Sequence, residues 1–200
     1  MAAFALGAGV AACGPAGPEA SGSLAPASPA PSPTAAASGT GDTANPPSGP
    51  LVVDSSLLKI LPASVAGIVM QPSPQSAASM ASDASLARSA SALAVGVVAS
   101  AGDSGGDDLA VSSVIRLRPG VYSDAFFGHW KEAYDLAACD PAGGIASHVQ
   151  QVIGSHTVDV SVCAQGARTY HTHLAGDILV SITAVGDRKF GDLVMAGLRQ

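Results

Sequence analysis

His171-Thr172-His173 is the segment whose residue types and spacing point most directly to chemistry. Alternate side chains of a strand share a face, so H-x-H on a strand presents two imidazoles together, as metal sites on sheets require. Asp159, on the polar side of the preceding expected strand, would add a carboxylate. The same alternation also describes an ordinary solvated strand face, and no Glu lies nearby to act as a general base. The expectation is therefore no metal and no cofactor, with His171, His173 and Asp159 the residues that would hold a metal if one were bound. Asp103, Asp107 and Asp108 crowd a Gly-rich stretch where a hard cation would find carboxylates. Their D-x-x-x-D-D spacing is not that of an EF-hand, and a solvated loop is the simpler reading. Phe126, Phe127 and Trp130 would suit a pocket wall, but their helical spacing reads as core.

Gly102-Asp103-Ser104-Gly105-Gly106 offers a nucleophile. It matches the sequence around the reactive serine of chymotrypsin-like proteases and the G-x-S-x-G of α/β-hydrolases. Chymotrypsin-like enzymes order their triad His, Asp, Ser, and all five histidines here (129, 148, 156, 171 and 173) follow Ser104, which excludes that family. The α/β-hydrolase order can be met. Its elbow, however, leads from a strand into a helix, whereas Asp107-Asp108-Leu109 leads into the β-branched run ending at Arg118. A hairpin loop describes the segment better, so Ser104 is not assigned a catalytic role.

The composition shifts sharply near Pro50. Between Gly14 and Pro50 stand nine of the fourteen prolines, no aromatic residue, no Val, Ile or Met, and Leu24 as the one large aliphatic. Such a stretch cannot offset the entropy of ordering itself, and it reads as a disordered linker over 14–50. Its span would be about 35 Å as a coil and about 115 Å as polyproline II. Residues 51–200 are rich in Val, Ile, Leu and Ala and long enough for one folded domain. That part holds thirteen acidic against nine basic residues, a net of −4. With no basic patch to displace counterions from phosphates, nucleic acid is excluded as a partner.

Residues 1–13 begin with an uncharged apolar run of the length expected for the core of a secretory signal. Val10-Ala11-Ala12-Cys13 resembles the lipobox of bacterial lipoproteins, in which an aliphatic and two small residues precede a cysteine. One departure is that no Lys or Arg precedes the run. The resemblance implies that Cys13 carries a diacylglycerol, that two acyl chains hold the protein to the membrane, and that the domain faces an oxidising compartment. Secretion without an anchor is the alternative. Cysteine parity then leaves Cys139 and Cys163 as a disulfide pair, with two buried free thiols as the alternative. A bridge would close a loop of about 25 residues and contribute roughly 3–4 kcal/mol.

These features must be carried by elements that the pattern also predicts. Asp54-Ser55-Ser56 caps a helical turn before Pro62, and a short strand follows over 66–71. A weakly amphipathic helix covers 74–93, and strands cover 94–100 and 109–118. Ser123 caps a helix over 124–138 with Phe126, Phe127, Trp130, Ala133, Tyr134 and Ala137 on its buried face. A four-strand meander covers 146–153, 156–163, 168–174 and 177–185, and a last helix 188–198. In its second strand Val158, Val160 and Val162 oppose Thr157, Asp159, Ser161 and Cys163. The expected fold is α+β, an antiparallel sheet of five to seven strands packed by two or three helices. This order of elements resembles the PsbP/Mog1-like sandwich of some exported lipoproteins. The function expected is that of an exported, lipid-anchored envelope protein with a non-catalytic binding or structural domain and an unknown protein or small-molecule partner. A hydrolase or metal-dependent enzyme using Ser104 or His171/His173 is the alternative.

Overall fold

A computed structural model describes residues 49–101 and 107–199; Cys13, Asp103 and Ser104 lie outside them. Val52–Val53 (β1) precedes a 3-10 helix at Ser55–Ile60, started by the Asp54 carboxylate accepting from the Ser56 amide at 3.0 Å. Where one strand is expected over 66–71, the chain forms a small hairpin of Ser64–Val65 (β2) and Ile68–Val69 (β3), followed by Gln71–Pro72 (β4). Ala66 and Gly67 take φ of 48° and 81°, the pair of left-handed residues that a two-residue hairpin turn requires.

The helix expected over 74–93 is two helices, Pro74–Ala81 (α1) and Ala84–Ser89 (α2). Asp83 Oδ1 accepts from the amides of Ser85 and Leu86 at 2.7 and 3.3 Å, so the chain restarts a helix there instead of continuing one. Strands Ala90–Ala101 (β5) and Asp107–Leu117 (β6) follow, then the helix Asp124–Cys139 (α3), capped by Ser123 Oγ. The meander comprises Ile145–Ile153 (β7), His156–Cys163 (β8), Arg168–Leu174 (β9) and Ile178–Val185 (β10). The last helix, Phe190–Ala196 (α4), is shorter than expected because Lys189 before it sits at φ 53°.

The fold is α+β. Among the described residues the main sheet has eight strands in the order β1-β5-β6-β10-β9-β8-β7, with β4 beside β5, and every pairing but β1–β5 is antiparallel. β6 and β7 are consecutive in the chain yet stand on either side of three other strands. The connection between them, α3, must therefore cross a sheet face.

One face is apolar, with Val158, Val160, Tyr170, Val180 and Ile182 packed on Leu57, Leu61, Phe190, Val194 and Met195. The other face is divided. Over β5 and β6 it is apolar, Leu93, Val95 and Ile115 meeting α1, α2 and the aromatic start of α3. Over β8, β9 and β10 it carries Ser161, Thr169, His171 and Ser181, all buried beneath α3. The alternation read from the sequence holds in β8, but its polar side is not the solvated face considered above; a helix covers it. The helix differs correspondingly. Phe126, Phe127, Trp130 and Tyr134 are half-buried and Ala133 and Ala137 are exposed, while the buried residues of α3 are Asp135 and Cys139.

Cys139 at the end of α3 and Cys163 at the end of β8 are joined by a disulfide, with Cα atoms 5.1 Å apart. The bridge forms because the end of α3 lies over the polar side of β8, to which Cys163 points. The Asp140–Gly144 turn is held there as well, the Ala164 amide donating to the Gly144 carbonyl at 2.9 Å. No described helix is long and apolar enough to cross a membrane.

Candidate functional site

Lys131, Asp135 and Cys139 recur every four residues, so they share one face of α3, directed at β8 and β9. The register aligns their partners, with His148 opposite Ser161, Ser161 opposite Thr169, Asp159 opposite His171, and His171 opposite Ser181. Asp135, 3% exposed, is the hub. It accepts hydrogen bonds from Ser161 Oγ at 2.5 Å, from Thr169 Oγ1, and from His171 Nε2 at 2.8 Å. Burial works to raise the Asp135 carboxyl, but the hydrogen bonds from His171, Ser161 and Thr169 outweigh it and hold the group below its ordinary 3.8.

The remaining donors fall into place around this acceptor. With His171 Nε2–H given to Asp135, its Nδ1 accepts from Ser181 Oγ at 2.9 Å, and Trp130 Nε1–H donates to Ser181 Oγ at 3.0 Å. On the other side His148 Nδ1 lies 2.7 Å from Ser161 Oγ. Tyr134 Oη meets Thr183 Oγ1 at 3.0 Å, and its ring stands edge-on to His171.

Ser181, His171 and Asp135 thus line up in the sense of a hydrolase triad, yet Ser181 is 1% exposed and His171 is fully buried. With Trp130 closing the far side of the Ser181 hydroxyl, no substrate carbonyl reaches it. The network is a polar core that fixes α3 on the sheet.

The residues singled out from the sequence as metal ligands do share a face, but their partners separate them. His171 is held by Asp135 and Ser181. His173 stacks on Tyr122, centroids 3.6 Å apart, with Nε2 buried and unpaired; burial lowers its pKa against the opposing pull of Asp177 and Asp124. Asp159 is bridged to Lys131 at 2.9 Å and accepts from Gln150 at 3.3 Å. Among the described residues no three His, Cys, Asp or Glu side chains converge as a metal site. Asp108, one of the three carboxylates weighed above for a hard cation, is buried and accepts from the Arg188 amide at 2.9 Å, tying β6 to the turn before α4.

What the network leaves open is a cleft of about 530 Å³ between α3 and the β7–β8 hairpin. Its floor is Asp135 and Ser161. Lys131, Glu132, His148 and Asp159 give it charge and hydrogen-bonding capacity, and Leu136 and Ile145 give it an apolar rim. A more apolar groove of about 410 Å³ lies on the opposite flank of α3, where Trp130 and Tyr134 face Met80 and Leu86.

Asp135, His148 and Lys131 escape a sequence reading that follows the aromatic stripe of the helix. The signal was the cysteine. If Cys139 must reach the polar side of β8, the residues one and two turns before it, Asp135 and Lys131, face the same way.

No protein-family model, curated protein or solved structure matches this chain.

Proposed function

We propose that the chain is an exported envelope protein, tethered to the outer face of the membrane by a lipid on Cys13, whose domain is a non-catalytic binding module. The ligand seat is the cleft between α3 and the β7–β8 hairpin. The observation that carries this reading is the make-up of the cleft. An ammonium (Lys131) and two carboxylates (Asp159 and Glu132) stand beside an apolar rim, over a floor fixed by Asp135 and the neighbouring disulfide. Preorganised groups of both signs beside apolar surface suit a small amphipathic ligand bearing amino and carboxylate groups, such as an amino acid or short peptide.

Thermal shift of the full chain carrying Cys13→Ser, screened against free amino acids and dipeptides, tests the seat. A ligand at 100 times its Kd adds about 2.7 kcal/mol. At about 2–4 °C per kcal/mol, the expected rise in Tm is on the order of 5–10 °C, lost in Lys131→Ala. No shift with any compound, or a shift retained in Lys131→Ala, refutes the seat. Esterase and peptidase activity lost in Ser104→Ala would replace the binding reading by a hydrolase. The tether is tested separately. Cys13→Ser should move the protein out of the membrane fraction while leaving the melt of the domain unchanged, and unchanged partition refutes it.

A further inference from the structure

β7 stands last in the sheet, and no described strand pairs with its outer edge. It is nine residues long, whereas β1 at the other end has two. An exposed edge is a template for pairing with another chain, and proteins ordinarily blunt it with charged residues or proline. Ile145–Ile153 contains no Lys, Arg, Asp, Glu or Pro. Val149 and Val152 on it are 50% and 74% exposed.

The order of residues says what fits this edge. Ile-Ala-Ser-His-Val-Gln-Gln-Val-Ile has the same pattern of apolar and uncharged polar residues from either end, with Val149 at the centre. Set antiparallel to itself about that centre, Val149 meets Val149 of a second copy, Ile145 meets Ile153, Ala146 meets Val152, Ser147 meets Gln151 and His148 meets Gln150. Apolar faces apolar, polar faces polar, and no like charges are opposed. We propose that β7 is a homodimer seam, two copies pairing antiparallel through Ile145–Ile153 about a two-fold axis at Val149.

The pairing is isologous, so it closes at the dimer, and the far edge, where the two-residue strands β1 and β4 flank β5, gives it little to propagate from. The two-fold axis is normal to the sheet, which puts both α3 helices on one face and one cleft on each side of the seam. A ladder about 30 Å long covers less than the roughly 800 Å² per partner of a standard stable interface, so the dimer is reversible and depends on concentration. The seam does not rest on the proposed ligand, but it borders the cleft, because His148 and Gln150 line the cleft and pair across the seam.

Sedimentation velocity of the full chain carrying Cys13→Ser, over a dilution series, reads the association directly. The expected result is a monomer–dimer equilibrium whose Kd rises about tenfold or more in Val149→Lys, which opposes two lysines on the axis. Val69→Lys, at an exposed site on β3, should leave it unchanged. A second arm does not depend on weakening the protein. In the same background Val149→Cys places two thiols about 5 Å apart across the seam, within reach of a short bifunctional crosslinker. Gln151→Cys should crosslink poorly alone but efficiently when mixed with Ser147→Cys. A monomer at every concentration, a Kd unmoved by Val149→Lys, or crosslinking as efficient at Val69→Cys as at Val149→Cys overturns the proposal.

Discussion

Replacing Asp135 with Ala removes the acceptor shared by Ser161, Thr169 and His171 while leaving all three donors beneath α3. A buried donor left unpaired costs about 1–3 kcal/mol, and deleting one partner of a buried charged cluster typically costs 3–5 kcal/mol. Some of these donors can turn toward one another, so the expected loss is about 3–5 kcal/mol, a large share of the 5–15 kcal/mol typical of a folded domain. Tm should fall on the order of 10 °C. Asp135→Asn keeps one acceptor oxygen, and its amide N–H can donate to Ser161 Oγ, so it should lose only about 1–2 kcal/mol at pH 7. The pH dependence separates loss of charge from loss of packing. The folded carboxyl lies below its ordinary 3.8, so its ionic contribution is complete above that value and disappears as pH falls through the lower, folded value. The stability gap between wild type and Asp135→Asn should therefore be widest near neutrality and narrow steadily below about pH 4. Urea unfolding from pH 7 to pH 2 measures both quantities. A loss under about 1 kcal/mol in Asp135→Ala, or a wild-type-to-Asn gap constant across that range, would refute the hub role of Asp135.

Reduction of the Cys139–Cys163 bridge should lower stability by roughly 3–4 kcal/mol; non-reducing peptide mapping that finds both thiols free counts against the bridge. Ser112→Ala should stabilise the protein by about 1 kcal/mol in urea unfolding, since Ser112 Oγ is buried without a hydrogen-bond partner. A destabilised variant would mean that the hydroxyl has a partner. Gly191→Ala should destabilise by about 1–3 kcal/mol or more, because a Cβ there would lie 2.2 Å from Cε2 of the buried Tyr170 ring. An unchanged urea midpoint would show that the ring can yield.

The fold class and the meander were legible because their signals are local. Two-residue alternation and Gly-marked turns delimit β7 to β10 within a residue or two, and Ser123 and Asp54 mark helix starts by residue type alone. Residues 74–93 and 66–71 depart from their sequence pattern for equally local reasons. The Asp83 side chain competes with helix continuation, and Ala66 adopts a left-handed conformation that an alanine does not advertise.

The site itself depended on tertiary placement. Nothing in the sequence says that β10 inserts between β6 and β9, and that insertion is what sends α3 across the sheet. Once α3 crosses, a strand face that alternation marks as polar becomes an interior, and its serine, threonine and histidine must find partners there. Asp135 supplies them, and so His171 becomes part of a closed hydrogen-bond network instead of half of a metal site. Sequence determined which residues share a strand face, because a two-residue period is a property of the backbone. Only the packing of α3 decided whether that face meets water, since burial is fixed by residues distant in the chain.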